Sequence, residues 1–202
     1  MGTHWFQGFR TRGRLAGRLT RAVLAAMLVV STVMVTVAGP AFAAPLAVEP
    51  REIALTPGDL PPGFAISPDI TQSGMIDNIG SMYQIGMLRE INEANLLAGP
   101  VFVLQQVVRL ESDLGAGDAL TLQRNYWINK GGYRPSKAGP NDGGTFSLEK
   151  TDDGVTIYLL GFIKENMIII TGAGGVEGIV SYAGVHELAT ITSARMDKAL
   201  GR

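Results

Sequence analysis

The chain has 202 residues, with 17 basic against 18 acidic side chains, two histidines and no cysteine. Lack of cysteine excludes a disulfide framework, an acylated lipoprotein thiol and thiolate chemistry. Five of the basic residues precede Ala43 and all of the acidic ones follow it, so the remainder carries 12 basic against 18 acidic residues. That acidic balance argues against nucleic acid or anionic lipid as a partner, since both demand clustered Lys and Arg.

Arg10, Arg12, Arg14, Arg18 and Arg21 precede an uncharged apolar run from Ala22 to Ala38, which ends in Gly39-Pro40 and Ala41-Phe42-Ala43. A basic segment, an apolar stretch and small residues at −3 and −1 are the parts of an export signal, so residues 1–43 read as a signal peptide cleaved after Ala43. The alternative is an uncleaved anchor, because a run of this length suffices to cross a bilayer. Either way the positive-inside bias places the rest of the chain outside the cytoplasm, secreted or tethered. No adjacent Arg pair marks a twin-arginine signal.

Six prolines between Pro45 and Pro68 predict an extended Pro-rich linker over 44–62, leaving a single domain over 63–202. Tyr83, Ile85 and Met87 alternate with Gln84, Gly86 and Leu88 as a strand. In the next, Phe102, Leu104, Val108 and Leu110 face one way while Gln105 and Arg109 face the other, which predicts a solvated side. Ala116, Ala119, Leu120, Leu122, Tyr126 and Trp127 then recur at helical spacing until Gly131-Gly132 stop the helix.

After a polar connection, three strands over 145–150, 155–163 and 167–171 are joined by Asp152-Asp153-Gly154 and Glu165-Asn166, the short turns of an antiparallel meander. The middle strand is apolar on both sides and reads as central. A last helix over 180–200 lines up Val185, Leu188, Ala189, Thr192, Met196 and Ala199. The expected class is α+β, a mainly antiparallel sheet of about five strands flanked by two main helices. This order, opening on Asp59-Leu60-Pro61-Pro62-Gly63-Phe64, resembles the PsbP-like superfamily and the related exported LpqN-type domains of actinobacteria. The resemblance implies an antiparallel sheet with flanking helices and mostly non-enzymatic binding or assembly roles, and it supplies no site residue.

Motifs for chemistry are incomplete. His186-Glu187 opens a zinc-protease pattern, but the fifth position is Thr190 rather than a second histidine. Ser181 and His186 lie roughly 140° apart around a helix, so they do not form a nucleophile and base pair. Gly172-Ala173-Gly174-Gly175-Val176-Glu177-Gly178 follows a strand, yet Glu177 would repel a pyrophosphate, which leaves a flexible strand-to-helix connection. Asp152-Asp153, and Glu111 with Asp113, sit beside turn residues and read as turn chemistry rather than glycosidase acids.

The expectation is therefore no catalytic residue, no metal and no cofactor. The connection over 131–144 is long for a loop, and its Tyr133, Arg134 and Lys137 are the candidate ligand-binding residues. Tyr126 and Trp127 read as core. These features point to an exported non-enzymatic binding or protein-interaction domain, with an envelope component or partner protein as its target. A hydrolase whose carboxylates converge only in the fold, or a carrier of an apolar ligand, are the alternatives.

Overall fold

The computed structural model describes residues 48–76, 80–92, 95, 97–110 and 115–202. The export segment lies outside them, as do Glu111 and Asp113. The strands are β1 (Phe64–Ile66), β2 (Gln72–Ile76), β3 (Gly80–Arg89), β4 (Phe102–Leu110), β5 (Arg134–Pro135), β6 (Thr145–Asp152), β7 (Val155–Lys164) and β8 (Met167–Val176). All eight join one antiparallel sheet in the order β1-β3-β4-β8-β7-β6-β5, with β2 also on β3. The α+β class and the β6–β8 meander stand; the count of about five strands is corrected to eight. Short pieces β1, β2 and β5 carry too few residues to show a period.

Among the described residues three α-helices accompany the sheet: α1 (Pro50–Ile53), α2 (Ala116–Asn129) and α3 (Tyr182–Ala199). Helix α2 lies over β7 and β8 on one face, while α3 covers the same strands on the other and α1 packs on α3, β3 and β4. The α3 stripe of Val185, Leu188, Ala189, Thr192 and Met196 is buried as its spacing predicts, although Ala199 is exposed. On α2 the buried residues are Ala116, Leu120, Gln123 and Trp127, and Leu122 turns outward.

Strand β4 corrects the expectation of a solvated side. Gln105 is fully buried beneath α1 and α3, where its Oε1 accepts from Leu55 N (2.7 Å) and its Nε2 donates to Thr171 Oγ1 (3.1 Å) and Thr192 Oγ1 (2.7 Å). Arg109, on the same side, pairs with Glu49 at 2.7 Å. A buried amide is tolerable when its hydrogen bonds are made, and here the partners come from three separate parts of the chain.

Those partners also overturn the linker reading from residue 48 onward. Val48, Ile53, Ala54, Leu55 and Leu60 are core residues, and Arg195 donates to Ala54 O (2.6 Å) and to both oxygens of Asp59 (2.7 and 2.8 Å). The prolines there serve local structure: Pro50 and Pro57 open α1 and a single 3₁₀ turn, positions where the missing N–H costs nothing. Gly63 adopts φ 98° and leads into Phe64, whose ring lies 5.4 Å from the buried Arg89 guanidinium.

The glycine run is likewise corrected, because Gly172 to Gly175 belong to β8 rather than to a connection. A Cβ on Gly174 would strike the Phe102 ring, one on Gly172 would meet Leu159 Cδ2 at 2.5 Å, and one on Gly175 would meet Val180 Cγ2 at 2.7 Å. Glycine here gives space to a cross-strand neighbour at 172 and 174, and to Val180 from the following connection at 175.

Replacing Gln105 with leucine strands the Leu55 N–H in a dry interior, and we expect a loss of about 2 kcal/mol, read by urea unfolding; an unchanged midpoint would remove Gln105 from this role. Burial alone would raise the Asp59 carboxyl, but hydrogen bonds from Thr56 and Arg195 outweigh it and hold it below the ordinary carboxylate range. A lowered carboxyl contributes stability that is present above its unfolded value and lost as pH falls through its folded one. The stability gap between the wild type and Asp59→Asn should therefore hold at neutral pH and close only below about pH 4; a gap that persists at lower pH refutes this.

Candidate functional site

The 131–144 connection begins where α2 ends and folds back along β6. Tyr133 turns inward, 5% exposed, and meets the 2%-exposed Trp127 edge-on at 5.2 Å between centroids. Arg134 points to solvent and holds Glu149 through Nε and Nη2, each at 3.0 Å. Lys137 is exposed. The three candidate residues thus do not share one surface: the aromatic lies in the core beneath the cations. Tyr126 is half-buried and Trp127 is core.

Most polar groups of this connection are spent on β6. Ser136 N donates to Ser147 O (2.8 Å), and Ser147 N donates to the Asn141 side-chain oxygen (3.1 Å). Ser136 Oγ donates to Glu149 (2.9 Å), and Lys150 Nζ donates to Gly131 O (2.9 Å). An edge strand presents unpaired backbone groups, and a connection that supplies partners for them closes the edge. That is what β5 and Asn141 do here.

The opposite edge differs. No described strand pairs with the outer side of β2, whose residues Gln72 to Met75 are exposed. From Ile70 through Ile76 it carries no charge and no proline, the usual guards of an edge. Register places Ile66 opposite Met87 and Met75 opposite Ser81, so both side chains lie on the α1 and α3 face, with Tyr83 between them on the next strand. Ile66 is 48% exposed and Met75 72%. Sequence reading missed this edge; the uncharged stretch between Asp69 and Asp77 is the signal that marks it.

The remaining candidates have structural roles. Ser181 caps α3, accepting from Gly184 N at 3.3 Å, and His186 is exposed one turn on, with its ring 6.1 Å from Tyr182. Asp153 and Gly154 both have positive φ and form the two-residue turn between β6 and β7. Among the described residues no group of three or more His, Asp or Glu side chains is placed to hold a metal ion.

No protein-family model matches this chain, and no curated protein matches it. Among solved structures, it is similar to the extracellular domain of PknH from Mycobacterium tuberculosis, with a TM-score of 0.50 and 10% identity. That likeness covers 77% of this chain and 98% of the PknH domain. At this identity the likeness concerns the fold.

If the 131–144 connection is architectural, its residues should behave unequally. Tyr133→Ala should cost about 3 kcal/mol, as loss of a buried aromatic does, while Arg134→Ala and Lys137→Ala should each stay within about 0.5 kcal/mol. Thermal and urea unfolding of the three variants check this, and equal small effects would return Tyr133 to the surface.

Proposed function

We propose that this chain is an exported, non-enzymatic interaction domain that takes up an extended segment of a partner protein along β2. The observation that carries the reading is the contrast between the two sheet edges: one is closed by its own connection, while the other has no described strand on the outer side of β2, carries no charge along β2 and exposes Ile66 and Met75. Strand addition draws affinity from main-chain hydrogen bonds and selectivity from alternate side chains, and β2 offers both. The export pattern in residues 1–43 and the likeness to an extracellular domain support a place outside the cytoplasm. No helix among the described residues is long and apolar enough to cross a membrane.

A peptide suits this edge better than a second copy. Five paired residues span only about 17 Å, and the area they bury falls short of the roughly 1,200 Å² of a stable association. The partner segment should be extended and uncharged at its centre, with apolar side chains at alternate positions to meet Ile66, Tyr83 and Met75.

Peptides selected from a random library against the full chain should show that alternation. Ile66→Lys with Met75→Lys should leave unfolding within about 0.5 kcal/mol yet weaken the selected peptides at least about ten-fold. Peptides that bind the double-lysine chain as tightly as the wild type would overturn the reading. So would a concentration-dependent dimer that the same substitutions dissolve, because the edge would then serve a second copy.

A further inference from the structure

The methionines among the described residues differ in what can reach their sulfurs. Met87, Met167 and Met196 are fully buried in the clusters on the α1 and α3 side. Met82 is half-buried against the α2-side cluster, and its Sδ accepts from Gln106 Nε2 at 3.1 Å, so one of its lone pairs is engaged. Met75, on β2, is 72% exposed. A thioether is oxidised by peroxides where the oxidant can reach its lone pair, and in a chain without cysteine no thiol competes for the reaction.

We propose that Met75 is an oxidation site through which hydrogen peroxide turns off strand addition at β2, by converting the thioether to a sulfoxide at the place where the partner segment sets an apolar side chain. The inference rests on the strand-addition reading. In the step, a sulfur lone pair attacks one peroxide oxygen, and the S–O bond forms as the O–O bond breaks. The departing hydroxide takes the proton of the transferred oxygen and leaves as water. Sulfur gives up the two electrons that the peroxide gains, so no further reactant is needed.

Position on the edge gives this chemistry its effect. Met75 lies across from Ser81 on the α1 and α3 face, the side on which an added strand meets Ile66 and Tyr83. The unoxidised side chain offers that strand a flexible apolar surface, whereas the sulfoxide carries a polar oxygen that binding would strip of water. Folding is insulated from the change, because Met75 belongs to none of the buried clusters while Met87, Met167 and Met196 are shielded within them. An exported domain also works beyond the reducing cytoplasm, where such an oxidant persists.

The full chain treated with hydrogen peroxide, then freed of it, is mapped by peptide mass spectrometry, which reads each methionine separately. Met75 should gain its oxygen before Met82, Met87, Met167 or Met196, with the urea unfolding midpoint unchanged. Methionine-free peptides selected on the untreated chain should then bind about ten-fold more weakly. Met75→Leu keeps an apolar side chain of similar volume without a sulfur, so it should bind those peptides equally before and after peroxide. Earlier oxidation of one of the other four, unchanged affinity once Met75 is oxidised, or the same loss in treated Met75→Leu would each overturn the proposal. A chain that selects no β2-dependent peptide before any oxidation sinks strand addition itself and the oxidation switch with it.

Discussion

A sheet that is apolar on both faces must be covered on both, and in this protein that requirement converges on the Gln105 amide. The side chain is fully buried at the meeting point of four segments, held by Leu55 from the N-terminal strap, Thr171 from β8 and Thr192 from α3. Each bond is modest in net terms, but leaving a buried amide unpaired is costly, so the segments that satisfy it are held together as one unit. Arg195 fastens the strap a second time, through Ala54 O and the Asp59 carboxylate. Residues 48–60 are for this reason part of the domain, although their prolines look like those of a spacer.

The opposite face solves a different problem, that of packing a helix onto a crowded sheet. Phe102 pairs across from Gly174, Leu159 from Gly172 and Phe146 from Gly161, and in each case a Cβ on the glycine would collide with its larger partner. Small residues opposite large ones flatten the surface and let rings lie down on the backbone, which keeps the α2 interface dense. The glycines of β8 carry no strand signal of their own. Their meaning resides in Phe102, some seventy residues earlier in sequence, so a local reading assigned them to a loop.

What the sequence did disclose were features whose cause is local. Turns at Asp152-Asp153-Gly154 and Glu165-Asn166 announce themselves by their Asp, Asn and Gly; positive φ falls on Asp153 (52°) and Gly154 (79°), residue types that tolerate it, and also on Glu165 (54°). The α3 stripe and the two-sided apolarity of β7 were legible for the same reason. Gln105 was not: a polar residue alternating with apolar ones looks solvated until the strap and α3 are seen above it. Tyr133 was misplaced by the same logic, since a tyrosine among Gly, Pro, Ser and Lys looks exposed, while its burial depends on Trp127 one turn back on the helix.

The Gln105 amide and the Asp59 carboxylate are answered by hydrogen bonds from distant parts of the chain, and Asn141 by its near neighbour Ser147. Stability alone would then be served by lysine or proline somewhere along β2. The chain instead leaves the outer side of β2 without a described partner strand beside the exposed Met75. Departures from local consistency mark the places where a fold answers to something other than its own stability, and the β2 edge is such a place.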